Sequence, residues 1–528
     1  MITGKFIVCL FASYLVGLVN SILPRGILRH TWLAVTGMLA CSFVFGAPWI
    51  LLLMSALVVW CVLVLASLLK GTAAVVLSSV AAVLAFDIMF SRHIVRAGAS
   101  SSGLDDCAAQ MVLFLKLAHL CFAVADGAGT IGKLRKDAKI ADGDKDIRRK
   151  LAGKAARSRL TRALSFVPNP IAVLGYCFNP TTAMAGPAFS YSVYTLAQDG
   201  CIVSDGKAAP MTKEQLARAG KATPLWRALS GFFFGVILMA MFSVGSGIFP
   251  VDSLFDLSIA QEAVGRLVHG ETGTFIANIV SGKDETTHPV IRVLVSWVWI
   301  SLVQVVVRFQ YYGSWIIAEG ATATAGMGLD PAWVSKEGPA PESMAISDHL
   351  EAYAQANNIE PLAVESATTY KAAINKWNKH TQMWLAESVF KRFPTAFGMN
   401  NHAVFVVSAL WHGVFPGYFL SLPVMAVAVP AMTAAYTTLR GPLDALVGTE
   451  KAWGYLGPLG WFLRWVSVVG LLNYFMAPFM LLKWHLGLEL LQRTYFFGHI
   501  FVVLCIVIAV VGGILGLGRK SKPKSKKD

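Results

Sequence analysis

One histidine stands in the run SALWHGVFPGYFL (408–420), where His412 and Tyr418 are the only ionisable side chains. Polar groups are costly in so apolar a setting, so an imidazole there is a candidate for chemistry. A neutral imidazole accepts a proton near physiological pH, which is the work of a general base. Gly413 allows close backbone approach, and Pro416 with Gly417 interrupts the helix a turn later, as expected of a segment lining a reaction chamber. A core histidine satisfied by a carbonyl or a water stays open as the bland alternative. The second constellation is KWNKHTQMWLAESVFKRF (376–393), with Asn378 placed 34 residues before His412. Trp377, Trp384 and Phe390 recur there near helical spacing among polar residues, which predicts an amphipathic or partly embedded helix. On that helix Asn378, Thr381 and Gln382 share one face, so an amide donor could be aimed at a substrate oxygen. A purely structural asparagine is the competing reading.

Several chemistries find no motif. No G-x-S-x-G elbow supports a covalent serine, no H-x-x-x-x-D or phosphate-binding glycine loop is present, and no histidine or cysteine spacing suggests a metal. Eight cysteines lie mostly in apolar stretches without a C-x-x-C pair, so neither a disulfide framework nor a zinc site is expected. Asp105 and Asp106 read as a span boundary.

The elements that must position these residues belong in lipid. The chain has 528 residues, 55% of them hydrophobic and only 14% charged, with a mean hydropathy of +0.59. Soluble domains carry about 25% charged residues. The net charge of +15 sits in short basic segments beside apolar runs, which points to topology and anionic headgroups and not to nucleic acid. A spanning helix needs about 20 mostly apolar residues. Candidates run over 5–23, 31–48, 49–69, 71–91, 107–125, 227–249, 290–310, 402–437, 454–482 and 484–516, with a further apolar piece at 308–330. The first, behind Lys5, resembles a signal peptide but lacks a small-residue cleavage site and is expected to be retained. The 107–125 segment holds Lys116 and His119 and is expected to face protein. Residues 164–194 are apolar but carry Pro168, Pro170, Pro180 and Pro187, so broken or re-entrant helices beside a cavity are expected. About eleven transmembrane or re-entrant pieces result, in one domain over 1–528, with the chemistry in 376–420.

The loop 131–163 holds twelve Lys/Arg, among them Lys133, Arg135, Arg148, Arg149, Lys150, Arg157 and Arg159, against four Asp. The positive-inside rule makes it cytoplasmic, and the basic tail 519–528 likewise. Lys524 and Lys526 near the end match a dilysine retrieval signal, which suggests the endoplasmic reticulum.

These residues resemble the membrane-bound O-acyltransferase family, in its lysophospholipid branch. W-H-G-x-x-x-G-Y (Trp411–Tyr418) is similar to the family's histidine motif and Trp377-Asn378 to its upstream motif. MVLFLKLAHLCFAVADG (111–127), GYCFNPTTAMAGP (175–187), RFQYYGSW with AEGA (308–321), Tyr474 to Phe479 and Tyr495 to His499 add ordered matches. Where this branch carries a tyrosine four residues before Tyr495, this chain has Leu491, and the F-Y-x-D-W-W-N of the sterol and diacylglycerol branch is missing. The resemblance implies an all-α polytopic membrane protein with a central tunnel, acyl-CoA and a lysophospholipid as substrates, and membrane lipids as partners. No cofactor is expected, since acyl-CoA is a substrate, and no motif speaks to oligomeric state. It implies His412 as the base and Asn378 as the donor that holds acceptor or oxyanion. Trp411, Trp377, Tyr311, Glu319, Thr381, Tyr418 and Tyr474 are pocket candidates, and Lys379, Lys391 and Arg392 are candidates for the CoA phosphates. Glu319 is equally open as the partner of a basic residue. A protein acyltransferase of the same family, or a transporter, is the alternative.

Overall fold

The computed structural model describes residues 2–98, 106–143, 147–392, 400–447 and 451–517. Asp105 and the tail 519–528, with its dilysine, lie outside them. Lipid offers no partner for backbone N–H and C=O, so apolar runs satisfy themselves as helices. Four of them, α1 (Ile2–Ile22), α2 (Ile27–Phe45), α3 (Trp49–Ser67) and α4 (Gly71–Gly98), occupy the first hundred residues. The next, α5 (Asp106–Gly129), is buried in protein along most of its length, with Lys116 fully buried and His119 nearly so. That agrees with a charged segment kept off lipid.

The basic stretch 131–163 is not a loop. It folds as α6 (Ile131–Gly143) and α7 (Ile147–Leu160), two helices packed on each other through Leu134, Ala138, Ala156 and Leu160 while Lys133, Lys136, Lys139 and Lys154 stay exposed. An apolar stripe of leucine and alanine lies under a dense coat of cations and pairs them.

The proline-rich piece breaks as expected into α8 (Pro170–Phe178) and α9 (Pro180–Ala183), followed by α10 (Tyr191–Asp199). Asn169 and Asn179 each cap the helix behind them, their Oδ1 atoms accepting from Ala172 N–H and Thr181 N–H, with proline in the first helical position where no donor is needed. The carbonyls left at the end of α8 are taken by one buried cation: Lys116 Nζ donates to Tyr176 O (3.0 Å), Cys177 O (3.2 Å) and Thr182 Oγ1 (2.7 Å). The only strands among the described residues, β1 (Cys201–Ser204) and β2 (Lys207–Pro210), pair antiparallel.

Next come α11 (Lys213–Lys221), α12 (Leu225–Ile248), α13 (Leu257–Gly265), α14 (Gly270–Ser281) and α15 (Pro289–Thr324). The pieces expected at 290–310 and 308–330 are thus one helix of 36 residues. Its charges do not break it, because each finds partners: Arg308 lies against Glu365 and Asn473, and Glu319 against backbone N–H groups and Arg227. Along α12 and α15 small residues bring backbones together, Gly231 against Gly320, where a Cβ would come within 2.7 Å of the facing Cα. Such contact replaces the hydrophobic drive that lipid removes.

The polar stretch after α15 carries four short helices, α16 (Pro331–Val334), α17 (Ile346–Ala352), α18 (Pro361–Glu365) and α19 (Tyr370–Lys376). Then follow α20 (Lys379–Trp384), a π-helical segment Leu385–Phe390, α21 (Asn400–His412) and α22 (Pro416–Val447). The last four are α23 (Lys451–Trp465), α24 (Leu471–Leu481), α25 (Trp484–Arg493) and α26 (Phe497–Ile514). The span expected at 402–437 is divided at 413–415 because Gly413 takes φ +127° and Pro416 starts the next helix. That at 484–516 is divided at Tyr495 and Phe496, both in the left-handed region. Between α23 and α24 a second π-helical segment, Val466–Gly470, gives up two carbonyls to side chains, Ser467 O to Tyr370 and Gly470 O to Trp297. Among the described residues ten helices are long and apolar enough to cross a membrane, and the broken piece at 164–194 makes eleven. The chain is an all-α integral membrane protein with two main cores. One gathers α2–α5 and α8 with Trp384 and Trp411, the other α15, α22, α24 and α26.

Candidate active site

Helix α5 is the frame. Its Met111 carbonyl accepts from Trp411 Nε1–H (3.3 Å), and Phe114, one turn on, packs edge-on against Trp384 at 5.2 Å between ring centres. Near its end Asp126 receives both Arg159 and Arg392. The element carrying His412 and the element leading from Asn378 therefore rest on consecutive turns of one helix.

The predicted helix over 376–393 starts later than its spacing suggested. Trp377 closes α19 and Asn378, at φ 40° and ψ 60°, makes a left-handed turn before α20 begins. Asn378 therefore does not share a helical face with Thr381 and Gln382, and the apparent period of Trp377, Trp384 and Phe390 was carried across a turn. Asparagine is among the few side chains that tolerate this conformation. The turn is pinned from both sides. Trp377 is wedged among Tyr311, Tyr312 and Trp315 of α15, at 6.1, 5.7 and 5.1 Å between ring centres. On the other side Asn358 accepts from Lys379 N–H at its carbonyl (2.8 Å) and from His380 N–H at Oδ1 (3.2 Å). Asn358 is held in turn by Glu319, whose Oε1 accepts from Asn358 N–H (2.6 Å) and Ile359 N–H (2.9 Å). Glu319 is thus a buried anchor facing Arg227 (3.6 Å) and holding backbone. The half-buried Asn378 amide forms no hydrogen bond among the described residues.

His412 ends α21 half-buried, its ring walled by Trp411 (4.7 Å), Phe479 (4.8 Å) and Tyr418 (5.6 Å). Trp411 belongs to one core and α24, which carries Phe479, to the other, so the imidazole sits where the two halves meet. The His93 ring of α4 lies against Gly413. Neither ring nitrogen of His412 has a hydrogen-bond partner among the described residues, and no hydrogen bond or ring contact joins His412 to Asn378. Both polar groups the sequence singled out are free to meet something that is not protein.

The remaining candidates divide. Tyr418 and Trp411 touch the imidazole; Trp377 and Tyr311 form the support of the Asn378 turn; Thr381 is buried one turn beyond it. Tyr474 is fully buried, its hydroxyl on His499 Nδ1 (3.2 Å), which joins two of the motifs into one packing unit and not into a wall beside His412. Among the cations, Lys379 is tied to Glu360 and to Asn357 Oδ1 (2.7 Å), and Arg392 to Asp126 while it covers the Phe122 ring at 4.4 Å. Only Lys391 of the three is exposed and unpaired by a carboxylate among the described residues.

Sequence reading missed four positioning devices: the Lys116 clamp, Asn358 as the link from Glu319, the paired arginines on Asp126, and the π-helical segment. That segment is fixed by Glu387, which takes Arg162 and Ser158 Oγ–H (2.8 Å) from the end of the basic helix pair. Single-turn π segments gather at functional sites. His380 lies fully buried beside it, its imidazole held near 4 by burial and by Lys379 and Arg162, against a hydrogen bond to Gln355 that works the other way.

The sequence pattern of the MBOAT, membrane-bound O-acyltransferase family, matches residues 276–442, which include both Asn378 and His412. A lysophospholipid acyltransferase of Schizosaccharomyces pombe is 25% identical over 433 residues, 79% of this chain and 69% of that one. The human membrane-bound acylglycerophosphatidylinositol O-acyltransferase MBOAT7 is 25% identical over 430 residues, 79% of this chain and 75% of its own. Lysophospholipid acyltransferase 6 of Drosophila melanogaster is 29% identical over 202 residues, 38% and 25% of the two chains. In these matches, and in a fold with ten helices long and apolar enough to cross a membrane among the described residues, the chain is similar to the membrane-bound O-acyltransferase family.

Proposed function

We propose that the chain transfers an acyl group from acyl-CoA to the free hydroxyl of a lysophospholipid, with His412 as general base. The observation that carries the reading is a half-buried imidazole, walled by three aromatic rings and without a hydrogen-bond partner among the described residues, at the junction of the two cores. The names of the relatives support the acceptor class. His412 removes the hydroxyl proton as that oxygen attacks the thioester carbonyl. The tetrahedral oxyanion then expels CoA thiolate as the C–S bond breaks, and the thiolate takes the proton from the imidazolium. Ester and CoA leave, the imidazole is neutral again, and no acyl-enzyme forms. General-base assistance of this kind is worth about 10²–10⁴-fold. The Asn378 amide donates to the acceptor or to the oxyanion, since its turn presents it free of bonds to the described residues.

The negative phosphates of CoA need cations. With Lys379 and Arg392 tied to carboxylates, Lys391 and the exposed lysines of α6 and α7 are left for that role, and the positive-inside rule supports a cytosolic side for acyl-CoA and the C-terminus. The endoplasmic reticulum follows from the lysines of the tail. The test is purified His412→Ala with labelled acyl-CoA and a panel of lysophospholipids. Phospholipid formation is expected to fall by at least about a hundredfold; transfer at the unmutated rate refutes the assignment.

A further inference from the structure

A polar cavity of about 440 Å³ opens between the end of α14, the first two turns of α15 and the end of α25. Its volume is that of a small-molecule site, about 300–1,000 Å³. Arg292, Arg493, Asp284, Glu285 and Glu489 line it, two guanidinium groups and three carboxylates, and no ion pair forms among them. The Arg493 guanidinium packs on Gly282, its Nη1 lying 2.6 Å from where a Cβ there would stand. Its Nε and Nη2 are buried without an acceptor, and so is Nε of Arg292, whose Nη1 donates to Asp284 O (2.8 Å). Oδ2 of Asp284 is likewise buried without a donor. Hydrogen bonds from Thr287 and Thr286 hold the Asp284 carboxyl at about 2, so it is ionised throughout the physiological range. Guanidinium groups cannot shed their charge, and donors buried without acceptors are expensive.

The surroundings say what kind of ligand these charges suit. The cavity lies where a candidate span begins at Pro289, at the level of a membrane surface. On the same helix Val290, Ile291 and Leu294 are exposed apolar side chains, and Tyr495 lies under Arg292 at 5.2 Å. A plain anion would meet three carboxylates, and a plain cation two arginines; a ligand bearing both signs is matched. Glu285 and Glu489 are exposed at the mouth while the unpaired arginine donors lie inside.

We propose that this cavity binds the headgroup of a zwitterionic membrane phospholipid, with the phosphate on Arg493 and Arg292, the ammonium toward Glu285 and Glu489, and the acyl chains along the apolar face of α15. None of the residues lining it packs on His412, so the site stands apart from the acyl-transfer centre and does not rest on the reading given for it. The experiment is thermal unfolding of the full chain in non-ionic detergent, titrated with short-chain phosphatidylcholine, with diacylglycerol of the same chains, with phosphatidylglycerol and with inorganic phosphate. Phosphatidylcholine is expected to stabilise at the lowest concentration. His412→Ala should respond as the unmutated chain does, which separates this site from the catalytic one. Arg493→Met should weaken the response about ten- to a hundredfold. The Glu285→Gln, Glu489→Gln pair changes only exposed side chains, so folding is not at stake, and it should abolish the preference for phosphatidylcholine over phosphatidylglycerol. Equal stabilisation by diacylglycerol, saturation by inorganic phosphate at the same concentration, or a preference unchanged in the double variant overturns the proposal.

Discussion

Replacing Glu319 by glutamine and by alanine separates two roles that the same carboxylate could play. Its Oε1 accepts from Asn358 N–H and Ile359 N–H at 2.6 and 2.9 Å, and its other oxygen faces Arg227 at 3.6 Å. Glutamine keeps an acceptor in the same place and loses only the ionic part of a long contact, about 1 kcal/mol. Alanine orphans two buried N–H groups at about 1–3 kcal/mol each and leaves Arg227 without its countercharge, so about 3–6 kcal/mol is expected. That is a large fraction of a typical folding stability of about 5–15 kcal/mol. Because Asn358 carries Lys379 and His380, the Asn378 turn loosens with it, and transfer activity should fall in step with stability. The assay is thermal unfolding in detergent beside acyl transfer to a lysophospholipid. Glu319→Gln is expected close to the unmutated protein in both, and Glu319→Ala low in both. If glutamine abolishes transfer while leaving unfolding unchanged, the carboxylate exchanges protons with substrate and the anchoring argument is wrong.

Glycine at position 378 accepts φ 40° without strain, so Asn378→Gly should fold normally yet lose about 10²–10³-fold in turnover, whereas a structural asparagine would give near-normal rates. Lys116→Met leaves the Tyr176 and Cys177 carbonyls without their cation, while the Thr182 hydroxyl keeps its bond to Asn179 O; relief of a buried charge offsets part of this, and a net loss of about 2–4 kcal/mol should appear in detergent unfolding. Protonating His380 is disfavoured in the folded chain, so the stability it contributes is complete above its unfolded value of about 6.5 and is lost as pH falls toward 4, by up to about 3 kcal/mol. His380→Gln should flatten the unfolding profile over that window, and an unchanged slope would place the acid sensitivity elsewhere.

Much of the architecture was legible because lipid makes one rule dominate: backbone must pair within its own segment, so long apolar runs are helices and prolines mark where they break. The spans, the broken piece at 164–194, the protein-facing α5 and the isolation of His412 all follow from that rule. Local composition misled where tertiary partners decide. Arg308 and Glu319 look like breaks until Glu365, Asn473 and Asn358 arrive from distant segments, and the basic stretch looks like a loop until two leucine–alanine faces meet. The turn at Asn378 was invisible because Trp377 and Trp384 keep helical spacing on either side of it. The residue types of the site were thus set by the sequence, while their presentation was set by the packing. Which amide is left without a partner among the described residues, which cation is already paired, and which carboxylate anchors the backbone depend on groups from 19 to 266 residues away that only folding brings within hydrogen-bond reach.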